Sequence, residues 1–179
     1  NYDPSNDEFW NSSGKKIAWK TLTITTAALT ISFATWFLYS VVVIKLPQIG
    51  FSFTDDQLFW MAAMPGLAGG ILRVINTFLI PIYGTRKVIS ISTLIKIIPL
   101  IMLGFAVMDP DTSFTYFMII GFLLGIGGGD FSSFMPSTSL FFPKKAAGTA
   151  LGIQAGVGNF GVSLVQLLSP LIISLSLFS

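Results

Sequence analysis

Thr21-Leu-Thr-Ile-Thr-Thr-Ala-Ala-Leu-Thr-Ile-Ser-Phe-Ala-Thr-Trp-Phe-Leu-Tyr-Ser-Val-Val-Val-Ile44 runs from Lys20 to Lys45 without a charged residue. A helix of about 20 predominantly apolar residues crosses the hydrocarbon core of a bilayer, and these 24 are enough. The pattern repeats outward. Between Asp56 and Arg86 only Arg73 is charged, between Lys87 and Asp109 only Lys96, between Asp111 and Lys144 only Asp130, and nothing charged follows Lys145. The chain therefore reads as all-α and integral to the membrane. About five spans are expected, near 20–46, 56–83, 87–108, 113–142 and 146–178, behind a polar segment 1–19. Pro170 is expected to kink or end the regular part of the last span.

Composition agrees. Of 179 residues, 53% are hydrophobic and 10% charged, with mean hydropathy +0.78, against about 25% charge in soluble domains. The lipid bilayer is the expected surrounding. With no Cys and no His, Cys/His metal sites, a thiol nucleophile and a histidine base are excluded. No nucleophile–base or metal constellation stands out, so neither an enzyme nor a cofactor is expected. The net charge is +2 without a basic patch, which argues against nucleic acid. The chain opens at Asn1 rather than Met and is expected to be a piece of a longer protein. Residues 1–20 are polar, unlike a cleavable signal.

The loops give an orientation. Lys15, Lys16 and Lys20 precede the first span, Arg86 and Lys87 lie between the second and third, and Lys144 and Lys145 between the fourth and fifth. The other two loops carry Asp55, Asp56, Asp109 and Asp111, with Lys45 at their edge. The positive-inside rule then puts the amino terminus in the cytoplasm of a multi-pass inner (plasma) membrane protein. Trp10, Trp19, Phe59 and Trp60 are expected in interfacial aromatic belts, and a short surface helix is expected around Asp7–Trp10.

Charges within spans cost about 2.5 kcal/mol or more each and mark function by default. Depth from the basic end, at 1.5 Å per residue, is ~20 Å for Phe33 and Arg73, ~21 Å for Asp130 and Asn159, and ~14 Å for Lys96. Arg73 is the sharpest feature, because its planar guanidinium forks onto a flat oxyanion. The alternative is a structural ion pair with Asp130. Phe33 and Phe131 could wall the same level.

Small residues form stripes: Gly66, Gly70 and Arg73; Gly121, Gly125, Gly129 and Ser133; and Gly148, Gly152 and Gly156 continuing through Asn159, Ser163 and Gln166. Such stripes let helices approach closely, and packing alone is the expected role of Gly121, Gly125 and Gly148. Glycine is denser than packing requires around Gly156 and Gly158, where backbone could approach a ligand, and Asn159 offers an amide.

Several stretches together resemble the nitrate/nitrite porter family of the major facilitator superfamily. They are Phe9-Trp10 before Gly14-Lys-Lys-Ile-Ala18, Leu46-Pro-Gln-Ile-Gly-Phe-Ser-Phe-Thr54 with Gln57-Leu-Phe59, Leu72-Arg-Val74, Pro81-Ile-Tyr-Gly84 and Phe141-Phe-Pro143. The most diagnostic is Gly148-Thr-Ala-Leu-Gly-Ile-Gln-Ala-Gly-Val-Gly-Asn-Phe-Gly-Val-Ser-Leu-Val-Gln166, which looks like that family's Gly-rich nitrate signature. The resemblance implies a rocker-switch carrier of two six-helix halves, of which this chain is most of the first. It implies that Arg73 binds the anion, that Asn159 is the signature asparagine, and that Phe33 and Phe131 are aromatic walls. A second arginine and further aromatics would come from the missing carboxy-terminal half, a required partner.

Two residues depart from the family pattern. Asp130 stands where a neutral polar residue is usual, and Lys96 where an apolar one is. Opposite in sign and on consecutive spans, they are expected to compensate each other. An unneutralised acid would repel nitrate, and it could instead carry a proton. The readings are then a nitrate/nitrite carrier, a proton-coupled carrier of another small anion or metabolite on the same fold, or a truncated membrane protein that does not transport.

Overall fold

The computed structural model describes residues 2–176. Five helices are long and apolar enough to cross a membrane: α1 (Asp7–Ile49), α2 (Asp55–Thr77), α3 (Thr85–Met108), α4 (Phe114–Phe141) and α5 (Lys144–Ser176). No strand occurs among the described residues. The expected end of the fifth span, residues 177–178, lies outside them. Pro170 sits inside α5, which continues past it.

The helix ends follow local chemistry. α2 starts at a capping box, in which Thr54 Oγ1 accepts from Gln57 N and the Gln57 side chain accepts from Thr54 N, with Asp55 and Asp56 at the positive end of the dipole. Ser113 caps α4 by accepting from Tyr116 N. α1 stops at Gly50, whose φ of 104° suits glycine. Two prolines break helices inside the expected spans. Pro81 cannot donate to the carbonyl four residues back, and α2 ends at Thr77 before a short helix Leu79–Tyr83. Pro99 does the same to Ile95, and α3 turns at Lys96.

α1 and α4 are central. α1 contacts α2, α3, α4 and α5, and α4 also touches the other four. The most apolar stretch of α4 is 61% buried, that of α5 only 11%. Three apolar layers stack along the bundle. One end holds Tyr39, Val43, Leu46, Met61, Phe117 and Leu124. The other holds Trp10, Ala18, Leu22, Phe142 and Ala150. The middle layer is Ala28, Leu29, Phe33, Ile89 and Phe134, with Trp36, Phe131 and Val162 against it. Large apolar side chains cover the outside, among them Phe59, Ile82, Ile91, Phe105 and Leu167, as a lipid-facing surface requires. Trp10 departs from the expected aromatic belt: it is buried, with its ring 5.8 Å from that of Phe142. The segment Asp7–Trp10 is no separate surface helix but the opening of α1, which passes through a π-helical turn at Trp10–Gly14.

Glycines decide how closely the helices approach. A Cβ at Gly125 would stand 2.5 Å from Ala68 Cβ on α2, one at Gly121 2.9 Å from the Tyr39 ring, and one at Gly161 would overlap Thr30 O. Gly121 and Gly125 are thus packing positions. Gly148 meets no neighbour among the described residues within 4 Å of its Cβ direction.

Candidate functional site

Arg73 lies on the exposed face of α2. Its Nε donates to Gly128 O on α4 at 3.1 Å, and its guanidinium carbon lies 5.6 Å from the centre of the Phe131 ring, within cation–π range. Ser132 Oγ donates to Arg73 O at 2.8 Å, fixing the backbone of α2 on α4. Neither terminal amino group has a hydrogen-bond partner among the described residues, and no carboxylate there lies within 4.0 Å. The fork is anchored at its base and open at its tip.

The aromatic walls meet. Phe33, buried on α1, stacks on half-buried Phe131 with centroids 6.1 Å apart and 13° between planes. Trp36, which sequence reasoning did not single out, lies 5.9 Å from Phe33 and covers Gly128. Arg73, Phe131 and Phe33 thereby form a row through the middle layer, from α2 across α4 to α1, and Val162 of α5 packs against the same layer.

The α5 residues separate by face. Asn159 and Gly156 are exposed, and a Cβ at Gly156 would meet nothing within 4 Å. The Asn159 amide donates to Ala155 O of its own helix at 2.8 Å, and no hydrogen bond joins it to Arg73 among the described residues. Gly158, expected at the ligand with Gly156, is instead buried against α1, where a Cβ would stand 2.8 Å from Leu29 Cδ2. At about 100° per residue, Gly156 and Gly158, two residues apart, point to nearly opposite sides of the helix. Beside it, Thr30 Oγ1 donates to Val157 O at 3.1 Å.

The alternative ion pair between Arg73 and Asp130 is absent. Asp130 is fully buried and pairs with Lys96, Nζ to Oδ2 at 2.6 Å. Counting residues put these groups at different depths. The lysine stem spans the difference, and Lys96 sits at the Pro99-induced turn of α3. Ser32 Oγ donates to Asp130 Oδ2 at 2.6 Å and Ser92 Oγ to Oδ1. Neither serine was legible as a partner, although Ser92 lies one turn before Lys96, on the same face. With that pair neutral in sum, Arg73 is the uncompensated charge of the middle layer among the described residues. The arrangement can hold a small flat anion against the guanidinium tip beside an aromatic wall.

The family model described as Major Facilitator Superfamily matches residues 24–178. The chain is 53% identical over 177 residues to the probable nitrate/nitrite antiporter NarK2 of Thermus thermophilus, covering 99% of this chain and 39% of that protein. It is 48% identical over 176 residues to the nitrate/nitrite transporter NarU of Salmonella typhimurium, covering 98% of this chain and 38% of that protein. It is 33% identical over 151 residues to the probable nitrate transporter NarT of Staphylococcus carnosus, covering 83% and 37%. The chain thus spans about two-fifths of the length of these relatives. By its family match and its five-helix bundle, the chain belongs to the Major Facilitator Superfamily.

Proposed function

We propose that the full-length protein carrying this chain is a carrier, not an enzyme, that moves nitrate or nitrite across the inner (plasma) membrane by alternating access. The observation that carries this is the Arg73 fork, tethered at Nε to Gly128 and resting on Phe131, with its tip open on an exposed helix face. A permanently charged planar donor set matches a planar oxyanion, and the relatives named above are nitrate or nitrite transporters or antiporters. Phe33 and Phe131 form the wall, and Asn159 and the backbone at Gly156 close the site from α5. The basic loops face the cytoplasm, with the amino terminus. Alternating access needs a second bundle rocking against this one around a shared site. The exposed small-residue faces of α2 and α5 are where that carboxy-terminal half belongs.

The test is nitrate uptake by the full-length protein in proteoliposomes, with competing anions. Nitrite should compete at concentrations near those of nitrate, whereas chloride and phosphate at tenfold excess should not. Equal competition by chloride would mean that a charge, and not a planar fork, selects the substrate. Uptake that needs an imposed proton gradient and is lost in Asp130→Asn would favour the proton-coupled reading instead.

A further inference from the structure

The Asp130 carboxylate is buried next to the proposed anion site yet takes no part in holding Arg73. Its backbone neighbours do: Gly128 O accepts from Arg73 Nε and Phe131 lies under the guanidinium. The Asp130 side chain turns the other way, toward α1 and α3. Oδ2 accepts from Ser32 Oγ and Lys96 Nζ, each at 2.6 Å, and Oδ1 accepts from Ser92 Oγ. Lys96 in turn has three acceptors for its three protons: Asp130 Oδ2, Ser92 O at 2.6 Å and Ser92 Oγ at 3.2 Å. The two residues are 1% and 0% exposed. They form a closed, neutral unit.

We infer that Lys96 is a positioning residue for the anion site: it holds the Asp130 carboxylate of α4 against α3 and cancels its charge, which leaves Arg73 free to take the anion. This rests on the reading of Arg73 as the anion clamp. Without Lys96 the carboxylate is a buried charge lacking its partner. A crevice of about 370 Å³ between α2 and α3, lined in part by Leu72, Asn76, Ser92 and Asp130, gives it room to swing toward α2. Uncancelled and one residue from Phe131, on which the Arg73 guanidinium rests, its charge repels the incoming anion. Removing Asp130 instead leaves a cation, which does not compete with an anion. The two losses are therefore unequal in their effect on substrate, whereas a purely mechanical brace would suffer equally from either.

The test measures KM for nitrate in proteoliposomes of the full-length protein for Lys96→Met, Asp130→Asn, the double variant and Arg73→Lys. Lys96→Met should raise KM about tenfold or more, because an unpaired buried charge acts through a low dielectric. Asp130→Asn and the double variant should stay within about threefold of wild type. Equal rises in both single variants, a double variant as poor as Lys96→Met, or an unchanged KM in Lys96→Met would each overturn the inference. Should Lys96→Met not accumulate in the membrane, Lys96→Arg and Asp130→Asn decide: both must keep KM near wild type, and a large rise in either overturns it. An unchanged KM in Arg73→Lys would instead sink the clamp reading itself. Equal losses from Lys96 and Asp130 alongside an impaired Arg73→Lys would sink only the role given to Lys96.

Discussion

Gly161→Ala should destabilise the bundle although it adds one methyl group. The ideal Cβ at Gly161 overlaps Thr30 O and stands 3.0 Å from Thr30 C and 3.1 Å from Ala34 N. All three are backbone atoms of α1, so no rotamer change relieves the clash. Comfortable contact begins near 3.4 Å, which requires α5 to withdraw from α1 by an ångström or so. Overpacking of this kind costs about 1–3 kcal/mol, a fall of roughly 5- to 150-fold in the folded-to-unfolded ratio. The withdrawal also weakens the Thr30–Val157 hydrogen bond and moves α1 three residues from Phe33. Gly104→Ala on α3, outside the faces assigned to the carboxy-terminal half, is the control, since nothing lies within 4 Å of its Cβ direction. Reversible unfolding of the purified full-length protein in mixed micelles measures both. Equal stability of Gly161→Ala and wild type would refute the assignment of the α1–α5 approach to this glycine.

Tyr39→Phe should lower stability by about 1 kcal/mol in the same assay, because the buried hydroxyl donates to Phe117 O and is fitted over Gly121. Asp7→Asn should leave stability unchanged: Asp7 lies 3.6 Å from Lys145, but both side chains are largely exposed. Orientation can be checked by impermeant thiol labelling in intact cells, given a chain without cysteine. Ser52→Cys should react from outside, and Ser12→Cys only after the membrane is opened; the reverse pattern would invert the topology.

The membrane helices could be read from the charges alone, because a charge in lipid is costly enough to mark where each span ends. The charge pattern does not show the breaks at Phe78 and Lys96, although Pro81 and Pro99 carry the signal three residues downstream. Arg73, Phe33 and Phe131 were legible as a group because counting from the basic ends puts them at one level, and the structure brings them together. Spacing showed that the glycines form stripes but not which stripe meets a neighbour. Gly121, Gly125 and Gly158 pack, while Gly148, Gly152 and Gly156 stay open, since a stripe records a face and not what lies opposite. Ser32 and Ser92 gave no warning, because membrane-helix serines commonly bond their own carbonyls.

The central claim is that the planar fork of Arg73 holds the anion, and Arg73→Lys tests it most directly. The ammonium keeps the charge but loses the guanidinium's tether to Gly128 and its contact with Phe131, and it offers an anion one charge-assisted hydrogen bond where the fork offers two. Those losses sum to about 2–4 kcal/mol, or roughly 30- to 1000-fold in affinity. Equilibrium nitrate binding to the purified full-length protein should weaken by that factor in Arg73→Lys. Binding within about threefold of wild type, less than 1 kcal/mol, would contradict it.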